Sequence, residues 1–587
     1  MDDLFGNTFL DPNPASLSKD PTFNAIIGPF VRFRGMVGNI YSTSVLIIAK
    51  ESPKVFVNDT AYTPSILDVF KSYNFYCFYI DVNLCNNAQM ITYKMVTNSA
   101  SQEFNFHVPS ATENCKFSFY SCAGISKGVD SVANGGYCPL WQDLIQEHLE
   151  SPMHLLVGGG DQLYNDVVFD IPSLQEWNKS KTRQARTTYN ASETILNEIN
   201  NFYFQHYCQQ FMRDHIRTAL SSIPSINTWD DHDIFNGHGS YPADLENCPI
   251  FTAVFASAKR FYYLFQLHSK MNDNNGFVSN STFLSTIGPN QAILCLDTRT
   301  DRSLTQILSP ESYDLIFQQL KALPLSVKHL IIVLGVPILF PPIKKSEFIL
   351  NAVSKINKQS NYAFDRILKP FGEPDLLSDF VDQWNAAEHT KEKSEFLSKC
   401  QALANDHMIR ITFLSGDSHC CGSAQTYSKA DQAVTRPHDD IFVRHKNHKI
   451  SPVYDHRHMN QIISSAIANA PPPAIAMIML HLTPNHSQNG EYCEAMTGIF
   501  KKDVPVVSRD RNGYISEKHK DRKPKYKWMM ARRNYCTFTY NADDELHVEY
   551  RIEKEINYLK IGAAKDITKF RVCQGYTIAI PPLLKPE

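Results

Sequence analysis

Hydrophobic and polar positions follow two rhythms along this chain, and the rhythm changes near residue 115. Before it, VRFRGMV, TSVLIIA, YCFYIDVN and EFNFHVP are short runs rich in β-branched and aromatic residues, and several alternate with period two. Clusters of Asn, Asp, Ser and Pro separate them, so residues 1–114 are expected to form a small β-sandwich. From 115 to 500, strand patterns alternate with helical ones. Pro139–Glu150 places Leu140, Leu144 and Ile145 at helical spacing, and Ala191–Leu220 is a longer amphipathic stretch. Pro310–Leu323 opens with Ser309 as N-cap and Pro310 at the first helical position. Strands are expected at Leu155–Gly158, Ala292–Leu296, His329–Leu334, Ile409–Leu414 and Gln461–Ser465. Such alternation predicts a layered α/β fold whose site is built by loops at the carboxyl ends of strands. In 501–587 the basic stretch Lys518–Arg533 precedes Tyr535–Tyr540 and Glu545–Tyr550, which are expected to pair, and YTIAIPPL adds a further strand. These strands are expected to complete the second domain.

Three loops concentrate acids after short apolar stretches. GGGDQLYND (158–166) follows HLLV, TWDDHDIFNGHG (228–239) follows IPSIN, and FLSGDSHCCG (413–422) follows IRIT. Together they offer Asp161, Tyr164, Asp230, Asp231, His232, Asp233, Asp417 and His419. Two carboxylates about 4 Å apart repel by roughly 4 kcal/mol at an effective dielectric of 20, so several converging on one pocket require protons or cations. Carboxylate, imidazole and phenolate are donors for Fe, Mn, Zn or Ca, which points to a metallohydrolase. Asp161 has two oxygens and is the candidate to be shared by two cations. Asp231 is the expected ligand of the second cation, with Asp230 holding it or Trp229 in place. His232 suits contact with a phosphate oxygen or proton donation, and Asp233 is expected to orient its ring. Asp417 and His419 lie two apart, and if the preceding strand continued they would face one side and both serve as ligands of the same metal pair. The glycines of GGGD form no nucleotide-binding loop, since no Lys-Ser/Thr pair follows.

These strings resemble the alkaline phosphatase D (PhoD-like) family of metallophosphatases. GGGDQLYND is similar to its GDxxY loop, WDDHD to its WDDHE, and SGDSH to its closing loop. FYSCAG (119–124) stands where the family supplies a cysteine metal ligand, which makes Cys122 the candidate, and LDTRTDR (296–302) resembles another family block. IPSINTWDDHDIFNGHGSY and HMNQIISSAIANAPPP look closest to the cytoplasmic eukaryotic, mostly fungal, branch. The resemblance runs from about Cys115 to Pro473. It implies an N-terminal β-sandwich followed by a four-layer α/β/β/α catalytic domain. It also implies hydrolysis of phosphate esters by a metal-bound hydroxide, at a centre holding two or more metal ions. Bacterial members suggest Fe with Ca, which Cys122 and Tyr164 would suit, while Zn or Mn remains open. Phosphodiester or phospholipid hydrolysis is the enzymatic alternative, and a non-catalytic membrane or protein adaptor is the other. Arg299 in LDTRTDR is a candidate for phosphate contact, or else a salt-bridge partner of Asp297 or Asp301. DHRH (455–458), Asn485 and His486 are weaker candidates to approach the site. Cys420 and Cys421 adjoin His419, but no paired CxxC accompanies them.

Composition narrows the setting. The chain has 587 residues, 43% hydrophobic and 20% charged, which supports a packed core rather than disorder. A net charge of −3 argues against nucleic acid as a partner. The start MDDLFGNTFLD has no signal pattern, and the apolar runs around Leu330–Phe340 and Pro471–Leu480 are too short to span a bilayer. A cytoplasmic protein acting on a small phosphate ester or a phospholipid is expected, with its 14 cysteines reduced. Lys518–Arg533 is the candidate for peripheral contact with an anionic membrane, with Trp528, Met529 and Met530 inserting.

Overall fold

The computed structural model describes residues 26–341, 382–429 and 451–585, apart from short breaks at 99, 138, 181, 272–275, 483–485, 511–514, 519–522, 527 and 562–570. Asn485 and part of the basic stretch therefore lie outside the described residues.

Two large mixed sheets carry the fold. The first runs, in spatial order, Cys573–Ile580, Leu546–Glu553, Asn534–Tyr540, Phe117–Tyr120, Leu155–Gly159, Ser225–Thr228, Ile27–Val37, Ile40–Ala49, Tyr73–Asn83 and Ser65–Phe70. The second runs Phe277–Ser279, Thr282–Thr286, Gln291–Cys295, His329–Leu334, Arg410–Ser415, Asn460–Ser464, Cys421–Ser428, Tyr492–Thr497 and His486–Asn489. The central strands of each are parallel and buried on both faces, which is why they read as apolar runs rather than alternations.

Side chains that alternate along these strands feed different cores. Val31, Ile47, Phe119, Val157 and Ile226 of the first sheet meet Ile293, Ile331, Leu414 and Ile462 of the second in one apolar cluster. On the far side of the first sheet, Phe30, Leu46 and Leu156 pack with Trp141 of helix Pro139–Glu150, Phe202 of helix Glu193–Phe211 and Phe261 of helix Pro249–Phe265. Beyond the second, Leu294, Ile332 and Phe413 pack with Ile316 of helix Pro310–Lys321 and Phe396 of helix Thr390–His407.

The N-terminal strands do not stand apart. Ile27–Val37 bridges Ser225–Thr228 in parallel at Arg32 and Ser225, so the first sheet runs across residue 114. The four strands Lys54–Val57, Thr60–Tyr62, Gln89–Val96 and Ser101–Val108 form a separate small sheet whose Val55, Tyr93 and Phe106 join the inter-sheet core. At the other end of the chain, Asn534–Tyr540 pairs antiparallel with Phe117–Tyr120 and with Leu546–Glu553. The long helix expected at Ala191–Leu220 is two, Glu193–Phe211 and Ile216–Ser222, because His215 takes a left-handed φ of 62° between them.

Candidate metal centre

Every loop singled out above leaves the carboxyl end of a parallel strand. Phe117–Tyr120, Leu155–Gly159 and Ser225–Thr228 are neighbours in the first sheet, and they deliver Cys122, Asp161 and Asp230–His232. Arg410–Ser415, in the second sheet, delivers Asp417 and His419. The chain turns sharply at these points: Cys122, Asp161, Asp417 and His419 have φ of 51°, 57°, 61° and 49°. A left-handed backbone at a non-glycine residue is costly and recurs where side-chain aim matters more than comfort. It also replaces the argument from strand alternation for Asp417 and His419, because the strand has ended at Ser415. Close approach explains two of the glycines. A Cβ on Gly160, itself at φ 102°, would stand 2.6 Å from Cβ of Asp230, and one on Gly124 would stand 2.5 Å from the Tyr164 ring.

The side chains converge in two groups of possible ligands that share Asp161. Cys122, Asp161 and His419 bring ligand atoms within 4.8 Å of one another, and so do Asp161, Asp231 and His232. Cys122 Sγ lies 3.4 Å from Asp161 Oδ2, and the Tyr164 hydroxyl lies 3.4 Å from the same oxygen and 2.8 Å from His419 Nε2. His419 Nδ1–H donates to the Ala470 carbonyl at 3.0 Å, which leaves Nε2 as the acceptor. Burial holds this ring neutral, with its pKa down at about 4, the state a metal requires. Burial also pushes the Cys122 thiol up to about 11, against hydrogen bonds from the Ser465 hydroxyl at 3.0 Å and from Ser121. The Asp161 carboxyl is held well above the usual range by burial, then by Cys122 and Asp231, and its Oδ1 is buried without a hydrogen-bond partner. An unpartnered buried oxygen between two sets of N, O and S donors fits a cation, which would also draw the proton from the thiol.

His232 is oriented by Asp166 and not by Asp233. Its Nδ1 stands 2.9 Å from Asp166 Oδ2, while the other Asp166 oxygen accepts from the Asn236 N–H at 2.7 Å. Burial disfavours the imidazolium, but Asp166 and Asp231 outweigh it and raise its pKa well above the ordinary value. Asp166 stands in GGGDQLYND as a second acid, so the signal was present in the loop itself. Asp233 instead accepts from the backbone N–H groups of Asp161 at 2.8 Å, Asp230 at 3.0 Å and Leu163 at 3.3 Å, pinning the first two loops together.

Arg299 does not reach toward a phosphate, nor does it pair with Asp297 or Asp301. Its guanidinium is fully buried, with Nε on Asp230 at 2.5 Å and both terminal nitrogens on Asp382 at 2.7 and 2.6 Å. Nη1 also donates to the His238 carbonyl at 3.1 Å, and Nη2 lies 3.7 Å from Asp231. The arginine is thus a clamp behind the carboxylates. Asp297 accepts instead from the Trp229 indole at 2.8 Å, the contact expected of Asp230.

Asp417 belongs to neither ligand group. Its Oδ2 accepts from Gln383 at 3.2 Å, and burial, Asp231 and Asp382 raise its pKa to about 6. Asp455 binds Ser428 and Arg457, and the carbonyls of Asp455 and His458 bind Arg410, so DHRH braces a turn away from the centre. His486 stands beside Tyr427 in a peripheral strand pair. Cys420 and Cys421 are buried thiols, the first bonded to Ser418 and the second to the Met530 carbonyl. Met529 and Met530 are buried too, paired with Cys421 and Gly422, which removes them as membrane-inserting residues.

A family model described as PhoD related phosphatase matches residues 83–367 and 363–574. The chain belongs to that family. Membership makes it a phosphatase-type hydrolase of a generally metal-dependent family. Uncharacterized protein YGR266W of Saccharomyces cerevisiae is 28% identical over 600 residues, covering 87% of this chain and 84% of the yeast protein, which places this PhoD-related chain on the eukaryotic branch. A solved structure of PhoD superposes with a TM-score of 0.52 at 12% identity, covering 97% of this chain and 94% of that one, and so shares the fold.

Proposed function

We propose that this chain is a metal-dependent phosphoesterase that holds two cations across Asp161. The observation that carries the reading is one buried carboxylate with an unpartnered oxygen, which stands with Cys122 and His419 on one side and with Asp231 on the other, His232 beside them being kept as proton donor and not as ligand. Cys122, Tyr164 and His419 around the first position suit ferric iron. Asp231 at the second suits a harder cation such as calcium, and zinc or manganese would satisfy the same donors. When bound, the cations supply positive charge for phosphoryl oxygens and lower the pKa of water at the site. The packing of helices outside each sheet supports a four-layer α/β/β/α unit whose first sheet takes in the N-terminal strands Ile27–Val37, Ile40–Ala49, Ser65–Phe70 and Tyr73–Asn83 as well as the C-terminal strands of 501–587.

The chain's own residues supply the remaining chemistry. His232, held charged by Asp166 and packed 4.3 Å from the Tyr164 ring, hydrogen-bonds a phosphoryl oxygen or gives a proton to the leaving oxygen. Asp231 and Asp161 add to Asp166 the negative charge that keeps this proton on the ring. Arg299 and Asp233 touch no substrate; they fix Asp230, Asp382 and the two loops so that Asp161 and Asp231 do not reorganise. Beside Tyr164 opens a cleft of about 190 Å³ walled by Gly124, Ser126, Lys127, Ser131, Tyr137 and His206, and this polar space takes the organic part of the ester.

Protein purified without chelator, assayed for bound metals and against phosphomonoesters and phosphodiesters side by side, tests the reading. Turnover that falls with chelation and returns with metal supports it. Metal-free protein with no turnover on either class would leave only the adaptor.

A further inference from the structure

One helix inverts the usual pattern of a surface element. Ala474–Leu482 (AIAMIMLHL) carries a single polar residue, His481, yet it lies at the surface. Met477 is buried and anchors it to the second core. On another face, about a quarter-turn round, Ala474, Ile478 and Leu482 recur every four residues and are exposed, Ile478 by 44% and Leu482 by 68%. An apolar outer stripe gains nothing from water, so it requires something apolar above it.

What surrounds the stripe indicates what covers it. The Tyr526 hydroxyl reaches the Ala474 carbonyl at 3.4 Å, and the His481 ring stacks on Tyr526 at 4.7 Å and on Trp528 at 5.2 Å. Tyr526 and Trp528 are the residue types that settle at the boundary of lipid and water. Lys523 and Lys525 are exposed on the same segment, within the basic stretch 518–533. Apolar stripe, boundary aromatics and lysines in one patch form the arrangement of an interfacial helix lying on an anionic bilayer. No described helix is long and apolar enough to cross one. The helix begins four residues after Ala470, whose carbonyl holds His419.

We infer that helix Ala474–Leu482, flanked by Lys523 and Lys525, docks this protein on an anionic lipid surface. The docking element is the helix and not Met529 or Met530. It does not rest on the catalytic reading, because the stripe and the lysines touch none of the metal-ligand candidates.

The test is co-sedimentation of the full chain with vesicles of phosphatidylcholine alone and of phosphatidylcholine mixed equally with phosphatidylserine, at low and high salt. Wild type pellets with the mixed vesicles at low salt, and recovery drops at high salt as charges are screened. Lys523→Glu with Lys525→Glu weakens partitioning by roughly thirtyfold or more, from about one lysine's worth of attraction at each position. Ile478→Asp with Leu482→Asp abolishes it at any salt. Both double variants keep the wild-type circular dichroism and thermal melt, since all four sites are exposed. Equal recovery with both vesicles, or pelleting unaltered in the variants, overturns the inference. So does a wild-type dimer that ignores vesicles and dissociates in the Asp variant, which would make a second copy the cover.

Discussion

Replacing Asp166 by Asn removes the carboxylate that is hydrogen-bonded to His232 and is the largest of those that keep a proton on it. In the native site both Asp166 oxygens face the ring, Oδ2 at 2.9 Å and Oδ1 at 3.1 Å from His232 Nδ1, and Oδ1 also takes the Asn236 N–H at 2.7 Å. The amide leaves one acceptor where there were two, and the negative charge beside the imidazolium is gone. A hydrogen bond to a charged group contributes about 1.5–3 kcal/mol and a neutral one about 1, so the substitution costs the protonated ring roughly 1–2 kcal/mol. That lowers the pKa of the ring by about one unit. Asp166 raises the His232 pKa, so removing its charge moves the alkaline limb of the pH–rate profile to lower pH. The assay is kcat/KM across pH for a small phosphate ester, with metal content measured on the same sample. A rate loss with an unshifted alkaline limb would reduce Asp166 to a structural prop, and an unchanged profile would remove His232 from the chemistry.

Three further outcomes follow from the same contacts. Arg299→Ala destabilises the fold by about 3–5 kcal/mol in chemical denaturation, because Asp230 and Asp382 are left buried without their partner; a stable variant with only a raised KM would restore the phosphate-contact role. His329 is fully buried, and burial, then Arg410, lowers its pKa to about 3; the unfolded chain therefore takes up its proton first. Its stability contribution is whole above about pH 6.5 and is lost as pH falls toward 3, so His329→Gln should lose about 2 kcal/mol less than wild type between pH 7 and pH 5, and equal losses would contradict this. If iron occupies the first position, Cys122→Ser weakens or shifts a visible charge-transfer band; a colourless, fully active enzyme holding only zinc or manganese would reject ferric ligation.

Much of this architecture was legible because each element carried its own period. His329–Leu334 and Pro139–Glu150 fall where apolar spacing puts them, and Ser309 caps its helix as its position before Pro310 implies. Helix Pro249–Phe265 is harder to read, since only Thr252, Lys259 and Arg260 mark its outer side and aromatic residues fill the rest. The loops announced their ligands by composition, yet the backbone turns that aim them left no trace: Asp417 and His419 sit at positive φ, where strand alternation has no meaning. Second partners were the least visible. Asp382 lies about eighty residues beyond Arg299 and meets it only through the fold, and nothing local distinguishes Asp166 from Asp233 as the partner of His232. The N-terminal strands looked autonomous because register is local, whereas the bridge from Arg32 to Ser225 joins segments far apart in sequence.

The central claim is that Asp161 serves two cations at once, and metal stoichiometry tests it most directly. Elemental analysis of wild type and Asp161→Asn, purified alike without chelator, should show about two metal ions per chain in the first and fewer than one in the second. Turnover is lost with them, while circular dichroism is unchanged. An Asp161→Asn protein that keeps the wild-type metal content and hydrolyses phosphate esters at the wild-type rate would contradict the account.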